Sequence, residues 1–261
     1  MLSLGLCESP SLPPVDDAAA PVIADDAQIR PFWQRALSRR SLLRRSTRRL
    51  LFLLLIVFFL RTFIGEASIV PTASMESTIL VGDHLFMNKL FYGPEIPLVH
   101  WRLPMFKKIR RGEIVVFRYP KHPSEMFLKR VTAVGGDQVA IRDGVLYINS
   151  QTVSEPYAVH HGPAHSAHEA MGPLTVPKDQ LFVMGDNRDN SSDSRDWGFV
   201  PVKNVVGEPL FVYWSYDAPS SRWLDENLGH RASFYASIAG NFFSRTRWSR
   251  TGRWLGAATG F

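Results

Sequence analysis

The sequence predicts a mainly antiparallel β domain held to a membrane by one N-terminal transmembrane helix. Three observations carry this. After Glu113 the chain breaks into short β-rich runs, EIVVFRY, FLKRVTAV, QVAIRDGVLYINSQTV, QLFVMGD and VVGEPLFVYWSY, separated by Gly, Pro, Asn and Asp. An uninterrupted apolar segment, LLFLLLIVFFL, follows a run of arginines at its N-terminal side. No long amphipathic helix interrupts the strand region, which excludes a doubly wound α/β arrangement.

From the N-terminus, residues 1–29 are rich in Pro, Ala and Asp without periodicity and read as a disordered tail. Arg30, Arg35, Arg39, Arg40, Arg44, Arg45, Arg48 and Arg49 then accumulate before Leu50. Leu50 to Ile64 as a helix spans ~22 Å, short of a hydrocarbon core of ~30 Å, so flanking arginines must snorkel. The positive-inside rule puts residues 1–49 in the cytoplasm, a transmembrane helix at 50–65, and everything after about residue 65 outside. A cleavable secretory signal or a twin-arginine signal built on SRRSLL are the competing readings. Both fit less well, because the basic segment is long and the apolar stretch begins well downstream of Arg39 and Arg40.

The 261 residues allow one core-bearing domain with appendages. The single cysteine, Cys7, rules out an internal disulfide and a Cys-rich metal site. Net charge is +6, yet residues 66–215 hold fifteen basic and sixteen acidic side chains, so the excess sits at the two ends. Basic ends around a neutral middle, with arginines flanking an apolar segment, point to a lipid bilayer and not to nucleic acid. Within the β region Asp143-Gly144 is a two-residue hairpin signal, and Val159 to Gly172 reads as a loop. After Tyr216, Phe234, Ile238 and Phe242 recur at helical spacing among arginines and tryptophans, which reads either as an interfacial helix or as a frayed tail.

Three clusters carry chemistry: VPTASM at 70–75, FLKRV at 127–131 and MGDNRDNSSDSRDWG at 184–198. A serine hydroxyl is a poor nucleophile and needs an adjacent base. A lysine can serve only when neutral, which requires its ordinary pKa of about 10.4 to fall by several units through desolvation. Phe127 and Val131 share the face of Lys129 on an alternating strand and can supply that. On the residues alone, a strand lysine reaching solvent is the stronger reading of Lys129.

Together the three clusters, with VGD at 81–83 and VGGD at 134–137, resemble bacterial type I signal peptidases over about residues 50–215. The resemblance implies a serine endopeptidase that removes signal peptides at Ala-x-Ala sites, needing no cofactor and no metal. It implies Ser74 as nucleophile and Lys129 as general base, with Ser191 orienting the lysine by a hydrogen bond and Thr72 completing the oxyanion hole. Arg130, Gly185, Asp186, Asn187, Asn190, Asp193 and Arg195 take supporting positions, Asp193 and Arg195 as an ion pair. Val70, Pro71, Met75, Ile79, Phe127 and Leu128 match the lining of the substrate pockets, although a core role is equally natural for each.

Two positions depart from the family pattern: Ala73 stands where glycine usually precedes the nucleophile, and Ser77 where proline usually closes SM-x-P. The short insert at about 140–180 implies an accessory region reduced to a hairpin and loop. The expected organisation is therefore a cytoplasmic segment 1–49, a helix 50–65, a catalytic domain 66–216 and a basic aromatic tail 217–261. Histidines offer a second chemistry, but His160, His161, His165 and His168 have no regular ligand spacing, and neither His84 nor His122 lies in a triad-like cluster. Two alternatives stay open: a specialised Ser/Lys maturation protease of the same clan, and a non-catalytic membrane-tethered β domain that binds a partner.

Overall fold

The computed structural model describes residues 32–96, 101–160 and 170–255. Cys7, the tail expected over residues 1–29, and His161, His165 and His168 lie outside them. The chain divides into two units, Met1–Leu53 and Leu54–Phe261.

Helix α1 (Phe32–Phe59) contributes nearly all of what is described in the first unit. It contains no Gly or Pro, and its Leu, Arg and Gln are strong helix formers, so the arginine-rich segment is helical from Phe32 onward. Its apolar part, Leu50–Phe59, passes into a π-helical turn, Leu60–Ile64. Among the described residues no helix is long and apolar enough to cross a membrane.

The second unit is built on antiparallel sheets, as the alternating runs require. The main sheet has seven strands: β1 (Gly65–Ile69), β2 (Asp83–Asn88), β5 (Ile114–Arg118), β6 (Met126–Val134), β11 (Gln180–Met184), β12 (Val200–Pro201) and β13 (Val205–Ser215), in the order β1-β2-β13-β5-β6-β11-β12. The long β13 bridges the halves by pairing β2 along much of its length and β5 at its start, with register shifts that bend it. One core, with Val115, Phe117, Val131 and Val183 buried, fills a face of this sheet, and a second holds Val70, Met75, Ile79 and Leu85. A two-stranded ribbon, β3 (Glu95–Ile96) with β4 (Trp101–Arg102), stands apart from it.

The accessory region is larger than the expected hairpin and loop. It is a four-stranded sheet, ordered β10-β7-β8-β9, in which the Asp143-Gly144 turn joins β7 (Gln138–Arg142) to β8 (Val145–Ile148). Strand β9 (Gln151–Thr152) and strand β10 (Met171–Thr175) complete it, and Leu146, Ile148, Phe182 and Met184 form its core.

The C-terminal segment is folded, not frayed, through Leu255. After α2 (Ser194–Trp197) and the short α3 (Ser220–Trp223), α4 runs Leu228–Gly240, its first turn capped by the Asn227 side chain. The stripe that reads as an interfacial face turns inward, because Phe234 and Ile238 are buried with Tyr216 and Ala218. Only Phe242, at the start of α5 (Phe242–Arg245), remains partly exposed. The last described residues return to the sheet, where Leu255 joins the core of Met75 and Ile79.

Candidate active site

Ser74 lies in a turn between β1 and β2. Glu76 N–H donates to the Ala73 carbonyl (3.0 Å) and Ile79 N–H to Met75 (2.9 Å), while Met75 and Ile79 bury their side chains beneath. Ala73 does not have positive φ, so alanine in place of the usual glycine costs nothing here. Ser77 does, at φ +96°, and its hydroxyl donates to the Tyr157 carbonyl (2.6 Å).

Lys129 comes from the middle of β6 and reaches this turn. Its Nζ lies 2.5 Å from Ser74 Oγ, with both side chains buried: Lys129 is 5 % and Ser74 8 % exposed. The Phe127 ring centroid is 5.8 Å from the ammonium. Burial lowers the Lys129 pKa to about 8; Asp193 raises it, Arg195 lowers it and Asp186 raises it. The site therefore supplies the desolvation that the sequence could only suggest.

A second layer fixes the two partners. Arg130, the neighbour of Lys129 on β6, is 1 % exposed and grips Asp186 with two bonds, Nε to Oδ1 (2.8 Å) and Nη2 to Oδ2 (2.6 Å). Thr78 of the serine turn donates its hydroxyl to the same Asp186 (2.6 Å). Asn187 gives its backbone N–H to the Ser74 carbonyl (3.1 Å) and its side-chain amide to the Ala73 carbonyl (3.2 Å). The GDN run thus clamps the serine turn to the lysine strand through charge-assisted and backbone hydrogen bonds.

Gly185 sits where nothing larger fits. A Cβ there would fall 2.2 Å from Ser191 Oγ and 2.5 Å from the Ser74 carbonyl oxygen. Its N–H donates to Asp193 (3.0 Å), which also accepts from Ser191 Oγ (2.9 Å) and from Arg195 Nε (2.8 Å). Burial pushes the Asp193 carboxyl up, but hydrogen bonding to Arg195, the charge of Arg195 and the Gly185 N–H outweigh it and hold its pKa below the usual carboxylate value. The ion pair expected of Asp193 and Arg195 is present, and Asp193 also caps α2. Ser191 differs from expectation: its hydroxyl is spent on Asp193, and among the described residues no hydrogen bond joins it to Lys129. A carboxylate carrying a full charge outcompetes an amine for that proton.

A cavity of about 360 Å³ opens beside the pair. Val70, Pro71, Phe127 and Leu128, which the resemblance put at the substrate pockets, line it, together with Thr72 and Asn190. Met75 also borders it, whereas Ile79 is fully buried in the core and does not reach it. Leu85, Met87, Val116 and Ser192 line it as well and were not among the residues expected there. Among the described residues no group of His, Cys, Asp and Glu could hold a metal ion. His84 faces elsewhere, ringed by Tyr213, Trp214 and Trp223.

A buried lysine on a strand of an antiparallel sheet beside a buried serine in the adjoining turn, next to an apolar cleft, is the arrangement of a hydrolase. Residues 43–214 match the signal peptidase family, peptidase S26, and the chain belongs to it. It is a serine endopeptidase of the signal peptidase I type. Signal peptidase I of Pseudomonas fluorescens is 34% identical over 215 residues, which cover 69% of this chain and 73% of that protein. Signal peptidase I of Aquifex aeolicus is 30% identical over 227 residues, covering 66% and 84%. The crystal structure of a signal peptidase I from Enterococcus faecalis shares 34% identity, covers 39% of this chain and 97% of its own, and has a TM-score of 0.33.

Proposed function

We propose that this chain cleaves signal peptides from exported preproteins by attack of Ser74 on the scissile carbonyl, with Lys129 as general base. The observation that carries this is the 2.5 Å contact between Lys129 Nζ and Ser74 Oγ in a buried setting. The neutral amine takes the Ser74 proton as Oγ bonds to the carbonyl carbon, and the resulting ammonium returns it to the leaving amine. The acyl-enzyme is then hydrolysed by water activated by the same lysine. Thr72 Oγ1 and the Ser74 N–H stabilise the oxyanion; Thr72 borders the same cavity as Ser74. Ser191 acts on Lys129 indirectly, by fixing Asp193.

Small side chains before the cut, as in Ala-x-Ala sites, fit the apolar walls made by Val70, Leu85, Met87 and Leu128. The apolar end of α1 with its π turn serves as the membrane anchor, its arginine side cytoplasmic and the β domain periplasmic. The test is a precursor with an Ala-x-Ala site incubated with the full-length protein. Ser74→Ala and Lys129→Ala should each abolish processing, and near-normal cleavage by either overturns the mechanism. Resistance of the chain to alkaline extraction from membranes tests the anchor separately.

A further inference from the structure

A second cavity lies away from Ser74, and its lining includes neither Ser74 nor Lys129. It has a volume of about 470 Å³ and is bordered by the end of the N-terminal helical segment and the β3–β4 ribbon. Four cations, Arg61, Lys89, Arg102 and Arg118, line it against two carboxylates, Glu66 and Glu95, an excess of two positive charges. Lys89 pairs with Glu66 and Arg118 with Glu95, so the cavity keeps an excess of positive charge, with Arg102 only partly offset by the pull of Glu95. Arg102 spends its donors on the carbonyls of Gly93 (2.6 Å), Tyr92 (2.7 Å) and Val205, so it is locked in place without being neutralised. Burial, and then the nearby Arg118, press its pKa down while Glu95 opposes, as expected where positive charge is crowded. Arg61 has no hydrogen bond or ion pair among the described residues. Phe58, Pro94 and Val206 give the rest of the wall an apolar character.

A fixed, half-buried excess of positive charge beside an apolar wall suits one class of ligand, a small anion carried on an apolar body. Phe58, Arg61 and Thr62 belong to the segment where the anchor emerges from the bilayer. This last step rests on the membrane reading given above. We propose that this cavity is a binding site for a phosphate anion, filled by the headgroup of an anionic phospholipid at the membrane surface.

Full-length protein in neutral detergent micelles is titrated with phosphatidylglycerol, with phosphatidylcholine, and separately with inorganic phosphate, and binding is read by native mass spectrometry and by the thermal unfolding midpoint. Phosphatidylglycerol should bind and raise the midpoint where phosphatidylcholine does not. Arg61→Gln and Arg118→Gln should each weaken this roughly fivefold, while a Lys121→Gln, Lys178→Gln double variant, which removes two exposed charges elsewhere, should behave as wild type. A response to inorganic phosphate alone that is lost in Arg61→Gln assigns the site to a soluble phosphate and rejects the lipid source. Equal responses in wild type and both arginine variants overturn the site. Failure of the anchor reading is seen independently, as release of the chain from phosphatidylcholine vesicles at alkaline pH.

Discussion

Arg250 grips Asp83 across most of the chain, its Nε 3.0 Å from Oδ1 and its Nη2 on Oδ2, with the carboxylate fully buried. The same Nη2 donates to the Thr78 carbonyl (3.0 Å), so a C-terminal arginine holds the far end of the turn that carries Ser74. Arg250→Gln strands a buried carboxylate and should destabilise the protein by about 3 kcal/mol, read as a lower denaturant midpoint with cleavage activity reduced in parallel. Adding Asp83→Asn should recover part of the loss, because the uncompensated charge is then gone.

Cleavage should rise with pH. With the Lys129 pKa lowered to about 8 by burial, about a tenth of the protein has a neutral amine at pH 7. The kcat/KM profile should therefore climb through about pH 8 and fall about tenfold for each unit well below it. An acid optimum near pH 5 would rule out the lysine as base.

Gly185→Ala should separate the two halves of the site. The added methyl meets Ser191 and the Ser74 carbonyl, and relief requires moving one of them at a cost of about 1–3 kcal/mol. The expected signature is a fall in kcat larger than any change in KM, since the turn shifts more than the cleft walls do.

His84 makes the fold acid-sensitive independently of catalysis. Burial lowers its pKa to about 4 against the pull of Asp83, from an unfolded value of 6.5. As pH falls below 6.5 the unfolded chain takes up a proton that the folded one refuses, so stability is lost progressively between about pH 6.5 and about 4. His84→Gln should flatten that part of the stability curve, measured by denaturant unfolding at a series of pH values.

Local pattern made the strands after Glu113 legible, and the resemblance singled out Ser74 and Lys129. FLKRV shows by its alternation that Lys129 lies among apolar side chains, and the GDN run shows a turn, because both signals are contained in a few neighbouring residues. The bonds that join them are not local. Arg250 and Asp83 are 167 positions apart and Arg130 and Asp186 are 56 apart, and no spacing rule links such pairs. Strand β10 hid behind its Gly and Pro, which weaken a strand signal. The stripe of Phe234 and Ile238 reveals an apolar face but not what covers it, since lipid and protein select the same residues. Ser191 lies near the Ser74 turn, and its hydroxyl bonds the carboxylate two positions away, a choice of partner that sequence spacing does not reveal.

Ser77 has a consequence for engineering. Its φ of +96° lies far from the value near −65° to which a proline ring is confined, so the proline of the SM-x-P pattern cannot be dropped into this backbone. Stabilisation by consensus substitution, a dependable route at many positions, should fail here and damage the serine turn. Glycine, which accepts that dihedral freely, is the replacement that keeps the turn, although it gives up the hydrogen bond to Tyr157. A sequence library for this enzyme should hold position 77 to serine or glycine and leave the family average aside.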